Sequence, residues 1–490
     1  MYVRFSPIVA ARYFRGADDA GVVAAIGAAA REQNAGCARR LQAMGELYAR
    51  RAPDDDDERL CWLIDGHESL TAEVAAELNI SRGRARGQVG YAIALREKLP
   101  RLLAVFLTGA IDMRMVVAIV NGAALVEDPE LMGKLDAALA KSAPKWMRLS
   151  GPKLQERVDW WVDRIDPEGR RVAPHEPPSR YVEFWPSNPG LAGMEAQLRA
   201  TDAAALETTL NALADTVCPN DPRPREVRCV DALGALAARL TELRCECGSK
   251  DCAAAQRPSG TNVVVHVVAE QPTVDGSGTT PGYLPGYGSL PAPMVHDLSG
   301  TAKCKPLSIP DPGAPAGSGY RPSAALAEFV RVRDLTCRFP GCDRPAEVCD
   351  VDHTVPYPAG PTHPSNLKLL CRAHHLLKTF WTGVGGWGDR QLSDGTVVWT
   401  SPSGRTYTTK PGGALFFPQL ASSTGEIAAR TLITDPVKDR GVMMPRRKRT
   451  RQQDRKDRVA AERRINAERI ADERRRREEW LAATYEPPPF

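Results

Sequence analysis

From about residue 18 to residue 250, Ala, Leu and Val recur at three-and-four spacing with charged residues between them, as in the stretch from Leu102 to Val120; the same period returns from Ala325 to Arg333. This period lines apolar side chains along one face of a helix, so it predicts a mostly helical first half of the chain. Within that half, residues 71–91 read as a helix-turn-helix: an apolar first helix, a short turn containing Asn79, Ser81 as N-cap, and a second helix carrying Arg82, Arg84 and Arg86. Those arginines suit a nucleic-acid groove, and ordinary packing within a helical bundle accounts for the same pattern.

The pattern then changes. Asn262 to Val268 is an apolar, β-branched run that predicts a strand, which makes His266 a core residue more readily than a ligand. Gly, Pro and Ser crowd residues 271–320, as expected of an extended linker. Further on, Thr396 to Trp399 and Arg405 to Thr409 flank a Ser-Pro-Ser-Gly turn and predict a β-hairpin. Trp381, Trp387 and Trp399 are expected to pack that hairpin on a small core.

The 490 residues suffice for two or three domains. No apolar run reaches the roughly 18 residues of a membrane span, and the amino terminus lacks the regions of a secretory signal. Twelve cysteines in such a chain, most at metal-like spacings, point to metal binding in a reducing cytoplasm rather than to disulfides. The net charge of +5 is unevenly spread: residues 446–479 hold fifteen Lys or Arg against eight acids. This basic tail is expected to be helical over about 440–482. It suits tracking of a phosphate backbone, and equally a solvated helix laced by i,i+4 ion pairs.

The densest chemistry lies between Cys337 and His375. Cys337 and Cys342 bracket a Pro-Gly turn, and Cys371 and His374 sit three apart at the start of a run without Gly or Pro that reads as a helix. Two such pairs are what structural zinc requires. His375 is about 100° further round the helix and points elsewhere. Asp352 and His353 are neighbours in a strand-like run and so face opposite sides, one free to bind a metal and the other to act as a base. A second group, Cys245, Cys247 and Cys252, is a weaker zinc signal: it reads either as a zinc site with Cys304, His266 or His296 as its fourth ligand or as free surface thiols. Arg372 and Lys378, on the helix after Cys371, are candidates for phosphate contact.

With these residues in view, the stretch Cys337 to Lys378 resembles the HNH endonuclease family. The resemblance implies a ββα-metal fold, with Asp352 and His375 as ligands of a catalytic divalent ion, Mg2+ or Mn2+, His353 as general base, and Asn366 steadying the loop and the base. It places structural Zn2+ on Cys337, Cys342, Cys371 and His374. One departure is Ala359-Gly360, where many relatives have two glycines. The segment from about 40 to 270 is similar to a helical domain of unknown function that precedes an HNH module in many actinobacterial proteins, including a mycobacterial repeat family. Leu78 to Arg82, Arg96 to Pro100, Asp221 to Arg228 and Cys245 to Cys252 carry that likeness.

The expected fold class is therefore α+β. A mainly α-helical domain over 18–270 leads through the linker at 271–320 to a small zinc-braced ββα-metal domain with its following β-hairpin over 321–418, and then to the basic tail. The expected function is metal-dependent hydrolysis of DNA in the cytoplasm, with RNA as another substrate for the same chemistry and no membrane partner. Two other readings remain open: an inert zinc knuckle, and a DNA-binding protein of a repeated or mobile element with a vestigial nuclease site.

Overall fold

A computed structural model describes residues 14, 16–51, 58–171, 180–257, 265–300, 302–313, 315–317, 319–383, 385–427 and 443–484. The chain divides into two units, one built from residues 1–173 together with 309–490 and the other from 174–308.

The first unit opens with seven helices: α1 (Asp19–Arg50), α2 (Gly66–Leu78), α3 (Arg82–Glu97), α4 (Pro100–Leu107), α5 (Met113–Gly122), α6 (Pro129–Ser142) and α7 (Gly151–Ile165). Asp18, Asp65, Ser81, Asp112 and Asp128 each accept a backbone N–H of the first turn, which fixes five of the seven starts. Helix α4 has no such cap of its own; Asp136 of α6 reaches across to accept from the N–H groups of Arg101 and Leu102 at 2.8 and 3.0 Å. The apolar faces close on one core that includes Leu41, Leu95, Leu102, Phe106, Met115, Leu135 and Val158.

The helix-turn-helix over 71–91 forms, with longer helices than expected, and Asn79 makes the turn in a left-handed conformation. Two of its arginines pair with one buried carboxylate. Arg82 and Arg86 both bond Glu68 of α2 at 2.6 Å, while Arg84 and Arg86 stay exposed at the surface. The sequence could not foresee this, because Glu68 looks like a surface residue of α2 until the fold buries it.

The second unit carries an antiparallel hairpin of β1 (Tyr181–Pro186) and β2 (Ala192–Gln197), helices α8 (Ala200–Ala214) and α9 (Arg225–Ala237), a short α10 (Gln271–Val274), a second hairpin of β3 (Gly282–Leu284) and β4 (Gly288–Leu290), and α11 (Ala292–Ser299). The expected linker at 271–320 is thus folded as far as Ser299. Its glycines and prolines make turns and helix starts, while Leu290 and Val295 are buried. Of the predicted strand from Asn262 to Val268, residues 262–264 lie outside the described residues; Val268 makes a single bridge to Tyr283, and His266 is exposed rather than buried.

The chain re-enters the first unit with α12 (Ala324–Asp334), β5 (Cys349–His353), β6 (Leu367–Cys371) and α13 (Arg372–Phe380). Strands β5 and β6 pair antiparallel, with Cys349 opposite Cys371 and Asp352 opposite Lys368, giving a ββα arrangement. The hairpin expected from 396 to 409 is present as β8 (Val397–Thr400) and β9 (Thr406–Thr409), and β7 (Gly388–Gln391) adds a third strand. Trp387 and Trp399 pack on Phe339 beside the cysteines. Trp381 does not join them: its indole N–H donates to Ile64 O at 2.9 Å and its ring meets Trp62, so it fastens the ββα element to the amino-terminal helices.

A buried ionic cluster holds these pieces together. Asp334, with no exposed surface, accepts from Arg333 and Arg338 at 2.8 and 3.0 Å and from the N–H of Leu369 at 2.9 Å. Arg333 in turn donates to Pro364 O and Leu367 O, and Arg338 to Gly395 O and Thr409 O. Burial would raise the Asp334 pKa, but the two guanidiniums outweigh it and hold the carboxyl below its ordinary value. Its contribution to stability is therefore present at neutral pH and lost only as the pH falls through that depressed pKa. Asp334→Ala leaves two buried cations without their counter-ion and is expected to cost about 3–5 kcal/mol, read as a fall in the urea midpoint at pH 7. A change below about 1 kcal/mol, the size of a surface pair, would remove the cluster from this role.

The tail forms α14 (Arg451–Thr484). Rather than standing free, its first half is clamped to the amino-terminal helices: Arg447 and Arg451 pair with Asp65, Arg451 also with Glu68, and Arg463 with Asp166. Asn466 donates to Glu168 O and Arg170 O. No helix among the described residues is long and apolar enough to cross a membrane.

Candidate functional site

Cys337 lies in the loop after α12, Cys342 follows the Pro340-Gly341 turn, Cys371 ends β6, and His374 stands on the first turn of α13. Their four ligand atoms all lie within 4.8 Å of one another. His374 Nδ1 is 3.5 Å from Cys337 Sγ and 3.3 Å from Cys371 Sγ, and the ring of Phe339 stacks on His374 at 4.0 Å. Burial and the neighbouring thiols push the Cys337 thiol well above its ordinary pKa. Three sulfurs and an imidazole in a closed, buried pocket have the chemistry to hold a metal such as zinc, with no position left open for a substrate. The turn before Cys342 is positioned from outside: Gly341 has φ +75°, and a Cβ there would stand 2.5 Å from Ile80 O. The knuckle thus rests on the turn between α2 and α3.

On the other side of α13, His375 Nε2 lies 3.4 Å from Asp352 Oδ1. Its Nδ1 lies 2.8 Å from Asp350 Oδ2, so Asp350 fixes the ring with its Nε2 edge toward Asp352. The second oxygen of Asp352 is taken by Lys378 at 2.6 Å and Lys368 at 3.1 Å. Lys368 also pairs with Asp389 at 2.6 Å. Burial would raise the Asp352 pKa, but Lys378 and Lys368 hold it below the usual carboxylate range, so the group stays ionised. Lys378 is buried and also donates to His353 O. It serves Asp352 and is not free for phosphate, contrary to the sequence expectation. Arg372 is exposed, 3.6 Å from Asp350 at the rim.

His353 ends β5, facing away from Asp352. Its Nε2 is 2.9 Å from Thr362 Oγ1, and that hydroxyl donates its one proton to Gly319 O at 2.6 Å. The hydroxyl must therefore accept from His353, which puts the ring proton on Nε2 and the lone pair on Nδ1. Tyr320 stacks on the ring at 5.3 Å. Burial lowers the His353 pKa, against the pull of Asp352, so the imidazole is neutral near pH 7. Asn366 braces the loop beyond: Oδ1 accepts from the N–H of Val355, and Nδ2 donates to Val355 O and Pro361 O.

Sequence reasoning missed Asp350, Lys368, Asp389, Thr362 and Tyr320. Asp350 had a signal, since two residues before Asp352 in a strand places both on one face; the others depend on strand pairing and loop closure. Elsewhere, Cys245, Cys247 and Cys252 are joined by Cys218, and all four sulfurs lie within 4.8 Å of one another. The fourth member of the group is thus Cys218, which a turn after α8 brings back, rather than Cys304, His266 or His296 as expected. Asp65, His67 and Glu68 also cluster, but the two carboxylates are occupied by Arg447, Arg451, Arg82 and Arg86.

The chain belongs to the family described as "Domain of unknown function (DUF222)", whose model matches residues 28–334. The site from Cys337 to His375 lies beyond that match. Among its relatives is the uncharacterized protein Rv2100 of Mycobacterium tuberculosis (strain ATCC 25618 / H37Rv), 44% identical over 491 residues, 92% of this chain and 88% of the relative. The uncharacterized protein Rv3776 of the same strain is 44% identical over 476 residues, 92% of this chain and 90% of the relative. No solved structure matches the chain.

Proposed function

We propose that the ββα element is an HNH-type site and that the protein is a metal-dependent endonuclease acting on DNA. The observation that carries this reading is the juxtaposition of Asp352 Oδ1 and Nε2 of His375, 3.4 Å apart. Adjacent ligand atoms around an octahedral ion with bonds of about 2.1 Å stand about 3.0 Å apart, so the two fit Mg2+ or Mn2+ with small adjustment. A divalent ion held there would supply Lewis-acid stabilisation of the charge on the scissile phosphate.

The protein's own groups have the remaining tasks. His353 takes a proton on Nδ1 from the attacking water as the new P–O bond forms, and the ester P–O bond breaks with its electron pair on the leaving oxygen, which takes up a proton from solvent. Thr362 and Tyr320 hold the imidazole in the required tautomer and plane. Asn366 keeps the Val355–Pro361 loop, and with it the end of β5, in position. Lys368 and Lys378 keep Asp352 ionised and aimed. Arg372 at the rim is the cation available to a backbone phosphate. The Cys337–Cys342–Cys371–His374 group suits structural zinc, which braces a module with little apolar core of its own.

The test is conversion of supercoiled plasmid to nicked or linear forms by zinc-loaded protein, with Mg2+ or Mn2+ added. Conversion that EDTA abolishes supports the reading. Retarded but uncut plasmid moves the assignment to a DNA-binding protein with a vestigial site, and cleavage confined to RNA moves it to a ribonuclease. Asp350→Asn is expected to weaken the catalytic metal about 10–100-fold, seen as a shift of the Mn2+ activation midpoint to higher concentration with little change in the saturated rate. An unmoved midpoint would remove Asp350 as the orienting group.

A further inference from the structure

We propose that Cys218, Cys245, Cys247 and Cys252 form a structural zinc site of four thiolates within the second unit. This inference stands apart from the nuclease reading, since none of its residues belongs to the ββα element.

The local structure brings the four sulfurs together from two arms. Cys218 follows α8 by four residues, and the Thr216 hydroxyl accepts the N–H of Leu243 at 2.8 Å, which ties the approach to Cys245 alongside it. The second arm folds back on itself, with the N–H of Cys245 donating to Ala254 O at 3.0 Å. Arg223 locks the arms: it donates to Asp221 and Asp231 at 2.8 and 2.9 Å and to Arg244 O at 2.7 Å. Asp221 also accepts the N–H of Glu246 at 2.9 Å. The site is thus shaped by bonds that do not involve the sulfurs.

The sulfur geometry selects a metal over a disulfide. Cys218 Sγ and Cys245 Sγ are 3.4 Å apart, far beyond the roughly 2.05 Å of an S–S bond. All four sulfurs lie within 4.8 Å of one another, around the separation of about 3.8 Å that a tetrahedron of Zn–S bonds near 2.3 Å requires. With sulfur in all four positions the site is closed, so its role is to hold structure. The unit needs such a clasp: beside Leu213 and Leu243, its buried apolar residues near the site, Ala214, Ala232, Ala235 and Ala254, are alanines.

Zinc counted by mass spectrometry on full-length protein purified without chelator is the direct test. Two zinc ions per chain are expected, falling to one in Cys218→Ser and staying at two in Cys304→Ser. An unchanged count in Cys218→Ser, or a loss in Cys304→Ser, would overturn the assignment. If Cys218→Ser does not fold, alkylation of the native wild type decides: all four cysteines should be protected until a chelator is added. Prompt labelling of Cys218, or a Cys218–Cys245 disulfide found by peptide mapping, would refute the site. A wild-type count of one that Cys218→Ser abolishes would uphold this site and refute zinc at Cys337, Cys342, Cys371 and His374.

Discussion

His353→Ala is expected to cut plasmid about 10²–10⁴-fold more slowly than the wild type, the usual contribution of a positioned general base. Folding should change little, because the ring makes one hydrogen bond, to Thr362, and packs on the rings of Tyr320 and Tyr357, and it belongs to neither cysteine cluster. Zinc content and the thermal midpoint therefore serve as controls. The loss should appear in the rate at saturating Mn2+ and leave DNA retention on a gel intact, since the base acts on water and not on the phosphate. A variant that cleaves at the wild-type rate would exclude His353 as the base, whatever the status of the metal ligands.

Cys371→Ser is expected to have the larger structural effect. Cys371 ends β6, precedes the first residue of α13 and supplies one of three sulfurs to the buried group. Zinc at such a site is worth about 10–16 kcal/mol in isolated zinc-finger peptides, more than the 5–15 kcal/mol by which whole domains are stable. The ββα element and the sheet packed on it should therefore open, with one zinc lost and protease sensitivity appearing between about residues 335 and 410. The amino-terminal bundle should persist, because its core draws only on residues between Ala38 and Val162. Circular dichroism would then keep most of its helical signal while cleavage disappears. A protease-resistant Cys371→Ser protein with full zinc content would rule out this structural site.

The grouping of Cys337, Cys342, Cys371 and His374 was legible because clusters able to hold a metal, built on turns and helix starts, depend on short spacings, which a sequence displays directly. The helix-turn-helix was legible for a similar reason: Ser81 as a cap and Asn79 in a left-handed turn are local chemistry. The partner of its arginines was not, since Arg82 and Arg86 reach back to a buried glutamate fourteen and eighteen residues away. The tail misled in the same way. Its alternating charges fit a solvated helix, while Arg447, Arg451 and Arg463 find partners near the other end of the chain.

By itself, the sequence determined the helical first half, the α+β character, the terminal hairpin and the grouping of most sulfur and imidazole ligands, all set by interactions among residues close in the chain. Only the tertiary structure decided which charges are spent internally. It placed Lys368 and Lys378 on Asp352, Asp350 on His375 and Cys218 beside Cys245, and it folded much of the stretch that composition marked as linker. Such pairings follow from strand register and from burial, where a charge must find a counter-charge wherever the chain brings one, and neither register nor burial is written in local spacing.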